Sequence, residues 1–76
     1  MKLSRFSLNY LKFLLKEDGY YIRMNKNAYT FRLVFIRPDC QDVELAYLTM
    51  PQFLNLELVE YKTTFLYDYY KLNGGE

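Results

Sequence analysis

Histidine and tryptophan are absent from this chain, and Cys40 is its single cysteine. Structural zinc is held by cysteine and histidine in combination, so that ligand set is missing. The commonest acid–base group at neutral pH is missing with it. One thiol cannot close an internal disulfide, and a lone thiol fits a reducing compartment. Cys40 stands among Asp39 and Asp42, whose negative charge raises a thiol pKa, and no imidazole is present to activate it; an inert thiol is expected. Glycine is scarce as well. Gly19 follows the first apolar stretch and Gly74 and Gly75 lie in the tail, which leaves no glycine-rich phosphate loop. No uninterrupted apolar run approaches the roughly 20 residues that cross a bilayer. Arg5, Asn9 and Lys12 interrupt what would otherwise resemble a signal-peptide core. The expectation is a non-enzymatic cytoplasmic protein with no cofactor, metal, membrane or small-molecule substrate.

What the chain has instead is aromatic surface. Nine tyrosines and six phenylalanines make up 20% of its 76 residues. A single domain of this size buries only about 60% of the surface of its unfolded chain. Aromatics that bury roughly 150–250 Å² each help to fill so small a core. The charge is divided. Residues 1–38 carry eight cations against Glu17 and Asp18, a net +6, whereas residues 39–76 carry Lys62 and Lys71 against seven carboxylates, a net −5. Such a dipole steers the approach of a partner without identifying it.

Hydrophobic periodicity predicts a helix over residues 4–18, with Leu8, Leu11, Leu14 and Leu15 inward and Gly19 as its stop. The period then changes to two. Residues 20–24, 29–37 and 43–48 read as three antiparallel strands, with Asn25-Lys26-Asn27 as the first turn and Pro38-Asp39 breaking the second strand. Thr49 and Gln52 match a capping box with Pro51 in the first turn, opening a helix predicted to run to residue 72. The stripe Leu54, Leu58, Tyr61, Phe65, Tyr69 and Leu72 supports it. A strand over residues 56–61 competes, because Leu-Glu-Leu-Val-Glu-Tyr partly alternates. The predicted fold is a single α+β domain, helix–three-stranded antiparallel sheet–helix, with both helices on one sheet face and residues 73–76 as a frayed tail.

Several candidate surfaces follow. The predicted last helix is apolar over far more than the arc of about 100° that one packed face needs. Val59, Leu66 and Tyr70, with Tyr67 at the rim, form its surplus face, a candidate interface for a protein partner or a homodimer. Arg5, Lys12 and Lys16 align on the first helix; with Arg23, Lys26 and Arg32 they form a basic surface for nucleic-acid phosphates or an acidic protein. The sheet face away from the helices is expected to carry Tyr21, Arg23, Thr30, Arg32, Val34, Glu44 and Ala46, a platform with a single aromatic. Asp39, Asp42 and Glu44 read as a solvated acidic loop rather than a cation site. The functional expectation is a small protein-binding module, an inhibitor or adaptor of the phage or mobile-element type, with anti-CRISPR and other anti-defence proteins as the model. A nucleic-acid-binding regulator and a structural dimer or assembly subunit are the alternatives.

Overall fold

The computed structural model describes residues 8–39 and 41–73. Its elements are α1 (Leu8–Lys16), β1 (Tyr20–Asn25), β2 (Thr30–Ile36), β3 (Asp42–Leu48), α2 (Met50–Leu54), β4 (Leu58–Thr63) and β5 (Tyr67–Leu72). The five strands form one sheet in the order β3-β2-β1-β5-β4, every neighbouring pair antiparallel.

The three-stranded sheet with a long closing helix is therefore corrected. The capping box is present: Thr49 Oγ1 accepts from the Gln52 N–H and Gln52 Oε1 accepts from the Thr49 N–H. The helix that it opens lasts five residues. Asn55 ends it, donating its backbone N–H and its side-chain amide to the Pro51 carbonyl. From there the chain forms a hairpin whose turn is held by Thr64, which exchanges backbone and hydroxyl bonds with Tyr67. The composition explains the outcome. Val59, Tyr61, Thr63, Thr64, Phe65, Tyr67, Tyr69 and Tyr70 are β-branched or aromatic, residue types that lose rotamer freedom in a helix and pack well on a pleated surface.

The first half follows the sequence pattern closely. Leu11 and Leu15 of α1 are buried against the sheet. Residues 4–7 of the predicted helix lie outside the described residues. Gly19 ends the α1–β1 turn at φ 99°. Between β1 and β2, Asn25 Oδ1 accepts the N–H groups of Asn27 and Ala28. The residue with positive φ is Tyr29, at 52°, rather than an asparagine.

Register determines which face each residue takes. Ile22 lies opposite Leu33 and Tyr70, and Leu33 opposite Ala46. This row is covered by the leucines of α1, by Leu56 and by Phe53, whose ring stacks on Phe31 at 4.2 Å and meets Tyr70 edge-on at 5.7 Å. Both outer strands contain a bulge, with Leu45 the extra residue of β3 and Tyr61 that of β4. Bulges on edge strands discourage edge-to-edge pairing with another sheet.

Candidate functional site: the tyrosine and cation face

Among the described residues, no helix lies over the second face of the sheet. Its residues are Asp42, Glu44 and Tyr47 of β3, Arg32 and Val34 of β2, Tyr21 and Arg23 of β1, Tyr67, Tyr69 and Lys71 of β5, and Val59, Tyr61 and Lys62 of β4. The bulge at Leu45 places Tyr47 here and turns the expected Ala46 to the helix side, because one extra residue inverts every later side chain of a strand. The hairpin adds the rest. A platform expected to hold one aromatic holds five tyrosines.

At its centre the face is packed. Val34 is 0% exposed and Tyr69 5%, yet neither belongs to the core beneath the helices. The Tyr69 hydroxyl donates to Asp42 Oδ2 at 2.6 Å, and Arg23 lies 3.9 Å from the same oxygen. Arg23 covers the Tyr67 ring at 4.4 Å, and Arg32, paired with Glu44, covers the Tyr47 ring at 4.1 Å. Burial pushes the Tyr69 phenol up to about 12, and the Asp42 carboxylate that accepts its proton adds to the effect. Tyr21 is pushed up to about 12 by burial and by its bond to Tyr61.

These shifts give a signed pH dependence. The folded state holds both protons more tightly than the unfolded chain, where tyrosine ionises near 10. Their contribution to stability is complete below pH 10 and is lost as the pH rises through 12. Spectrophotometric titration is expected to show Tyr21 and Tyr69 ionising late, as the fold is lost. Simultaneous ionisation of all nine near 10 would contradict the arrangement.

Toward its β4 edge the face opens. Tyr61 is 44% exposed and stacks on Tyr21 at 4.4 Å. The ammonium of Lys62 lies 6.0 Å from the Tyr61 ring and that of Lys71 5.6 Å. A hollow adjoins each side of the stacked pair. One, of about 450 Å³, is lined by Lys16, Asp18, Tyr20, Tyr21 and Lys71 among others. The other, of about 210 Å³, is lined by Asp18, Tyr21, Ile36, Arg37 and Tyr61 among others.

Comparison of the chain with protein-family models, curated proteins and solved structures finds no match. Function is therefore read from this geometry.

The residues singled out in the sequence are dispersed by the fold. Of the proposed last-helix interface, Val59 and Tyr67 lie on the open face, Leu66 in the β4–β5 turn, and Tyr70 on the helix side against Phe53. They form no single patch, because the helix that aligned them is a hairpin. Arg5 and Cys40 lie outside the described residues. Lys12 and Lys16 are on α1, whereas Arg23 and Arg32 are on the open face; Lys26 is bonded to the Thr64 carbonyl and lies 3.5 Å from Asp68. The basic surface is thus divided. Asp39, Asp42 and Glu44 are divided too, each facing an arginine: Arg37, Arg23 and Arg32. Tyr47, Tyr61, Tyr69, Lys62 and Lys71 were missed as a group. The signal for Tyr69 and Lys71 was their alternation with Tyr67 along β5, which the helical stripe obscured.

Among the described residues, no helix is long and apolar enough to cross a membrane.

Proposed function

We propose that this chain is a non-enzymatic binding module, acting by occupying a macromolecular partner in the manner of an inhibitor or adaptor. Its working surface is the uncovered face of the sheet. One observation carries the reading: five tyrosines and four cations occupy a sheet face over which no second layer of the described residues is packed. Tyrosine and arginine are enriched in binding hot spots, because each combines area, rigidity and a polar group. The packed centre of Val34, Tyr69, Arg23 and Asp42 holds the outer rings in place. A pre-ordered surface loses less side-chain entropy on binding than a mobile one.

Site-specific photocrosslinking tests this. A benzophenone side chain at Tyr61 or at Tyr47, which is 61% exposed, is expected to give adducts in cells where the protein acts. The same group at Leu54 of α2, 71% exposed but on the opposite side, is expected to give none. Adducts from Leu54 alone, or from none of the three, would overturn the assignment of the working surface.

A further inference from the structure

The chemistry of the partner follows from what the face leaves unsatisfied, and this step rests on the surface assignment just made. We infer that the face takes single-stranded nucleic acid, with bases stacking at Tyr61 and Tyr47 and phosphates on Lys62 and Lys71.

Charge is the first argument. Asp42 and Glu44 are already engaged, the one by Tyr69 and Arg23, the other by Arg32. Lys62 and Lys71 are exposed, and neither has a carboxylate of the described residues within ion-pair distance. Glu60, the neighbouring acid, lies opposite Tyr70 on the helix side of the hairpin. Asp18, in the α1–β1 turn, lines both hollows beside Tyr21; on the strands of the face the uncompensated charge is positive and is concentrated on β4 and β5.

Coincidence is the second. Both ammonium groups lie within 6.0 Å of the Tyr61 ring. Tyr21 stacks on one face of Tyr61, and Lys62 lies nearer the Tyr69 ring, at 4.6 Å; a base entering over the other face of Tyr61 would meet both ammonium groups beside it, the combination that single-strand binders use. An acidic polypeptide would use the lysines and gain little from the rings. A duplex would offer phosphates while its bases stay stacked on one another.

Extent is the third. Tyr47 and Tyr61 lie on the two outermost strands, four strand spacings or about 19 Å apart. That span suits an oligonucleotide crossing the sheet rather than a mononucleotide.

Fluorescence anisotropy with labelled oligothymidine and oligouridine of about 15 nucleotides, against a duplex of equal length, tests the inference. Both single strands are expected to bind more tightly than the duplex; their ratio tells DNA preference from RNA preference. Tyr61→Ala is expected to weaken binding by about ten-fold and Tyr61→Phe to change it little. The double variant Lys62→Gln, Lys71→Gln is expected to flatten the log–log salt dependence by about 1.4. Circular dichroism of each variant separates loss of contact from loss of fold. The inference is overturned if neither single strand binds at low salt, if Tyr61→Ala leaves affinity unchanged, or if polyglutamate binds in place of the oligonucleotides. In those cases crosslinks that persist at Tyr61 and Tyr47 keep the surface assignment standing, and crosslinks at Leu54 alone remove both.

Discussion

Gly19→Ala is expected to lower the melting temperature by roughly 8 °C or more, from a cost of at least about 2 kcal/mol at about 4–8 °C per kcal/mol for a chain of this size. Two costs add. At φ 99° an L side chain is strained, which costs about 1–3 kcal/mol. A Cβ there would also lie 2.6 Å from Cε1 of Phe35. The ring must move, although it is half-buried and in contact with Tyr20 at 5.0 Å. Over-packing of this kind costs about 1–3 kcal/mol. Thermal unfolding measures the sum, and the same substitution in a Phe35→Leu background isolates the backbone strain. A shift under about 3 °C would show that the turn does not need glycine. The position bears on the site, because the Gly19 carbonyl accepts the Ile36 N–H at 2.7 Å and the same turn leads into Tyr20 and Tyr21 beside both hollows.

Leu33→Ala is expected to cost about 2–5 kcal/mol, the range for emptying a fully buried leucine site. Leu33 is 0% exposed, in β2, and lies between Ile22 and Ala46 under the helices. A domain of this length has a total stability of only about 4–11 kcal/mol. The variant should therefore lose a large part of its denaturant midpoint, measured by urea unfolding. Val34, the next residue, faces the other way. Val34→Thr is expected to cost about 1–3 kcal/mol through its buried hydroxyl, whereas a solvated strand face would register less than about 0.5 kcal/mol. A negligible effect at Leu33 would contradict the core, and one at Val34 the packed centre of the tyrosine face.

The first half of the fold was legible because its signals agree. Leu11 and Leu15 repeat at a helical interval, Gly19 stops the helix, and Ile22, Phe31 and Leu33 alternate with polar residues on two strands. The second half misled because one set of residues satisfies two periods. Leu58, Tyr61, Tyr69 and Leu72 lie on a helical stripe and also on the paired strands of a hairpin. The apolar surplus of the supposed helix was the diagnostic. A segment apolar on nearly every side of a helical wheel fits poorly as a surface helix, and it fits well as two strands that carry apolar and aromatic side chains on both faces of a sheet. The Thr63-Thr64 pair and the tyrosines of β5 pointed the same way by propensity. Of the candidate site, Tyr21, Arg23 and Arg32 were legible from alternation in β1 and β2. Tyr47 was not, because a bulge at Leu45 carries no local sequence mark. Tyr61, Lys62, Tyr69 and Lys71 required the hairpin to dock beside β1, a long-range pairing that no local pattern encodes.

Nuclear Overhauser contacts between β1 and β5 test that pairing most directly, since the tyrosine face exists only if the hairpin lies there. In isotope-labelled protein, alternate pairs among Ile22 and Tyr70, Arg23 and Tyr69, Met24 and Asp68, and Asn25 and Tyr67 are expected to give cross-strand Hα–Hα contacts, with extended-chain shifts through 58–63 and 67–72. Sequential amide–amide contacts and helical shifts running through those residues, with no contact to β1, would contradict the hairpin and remove the binding surface with it.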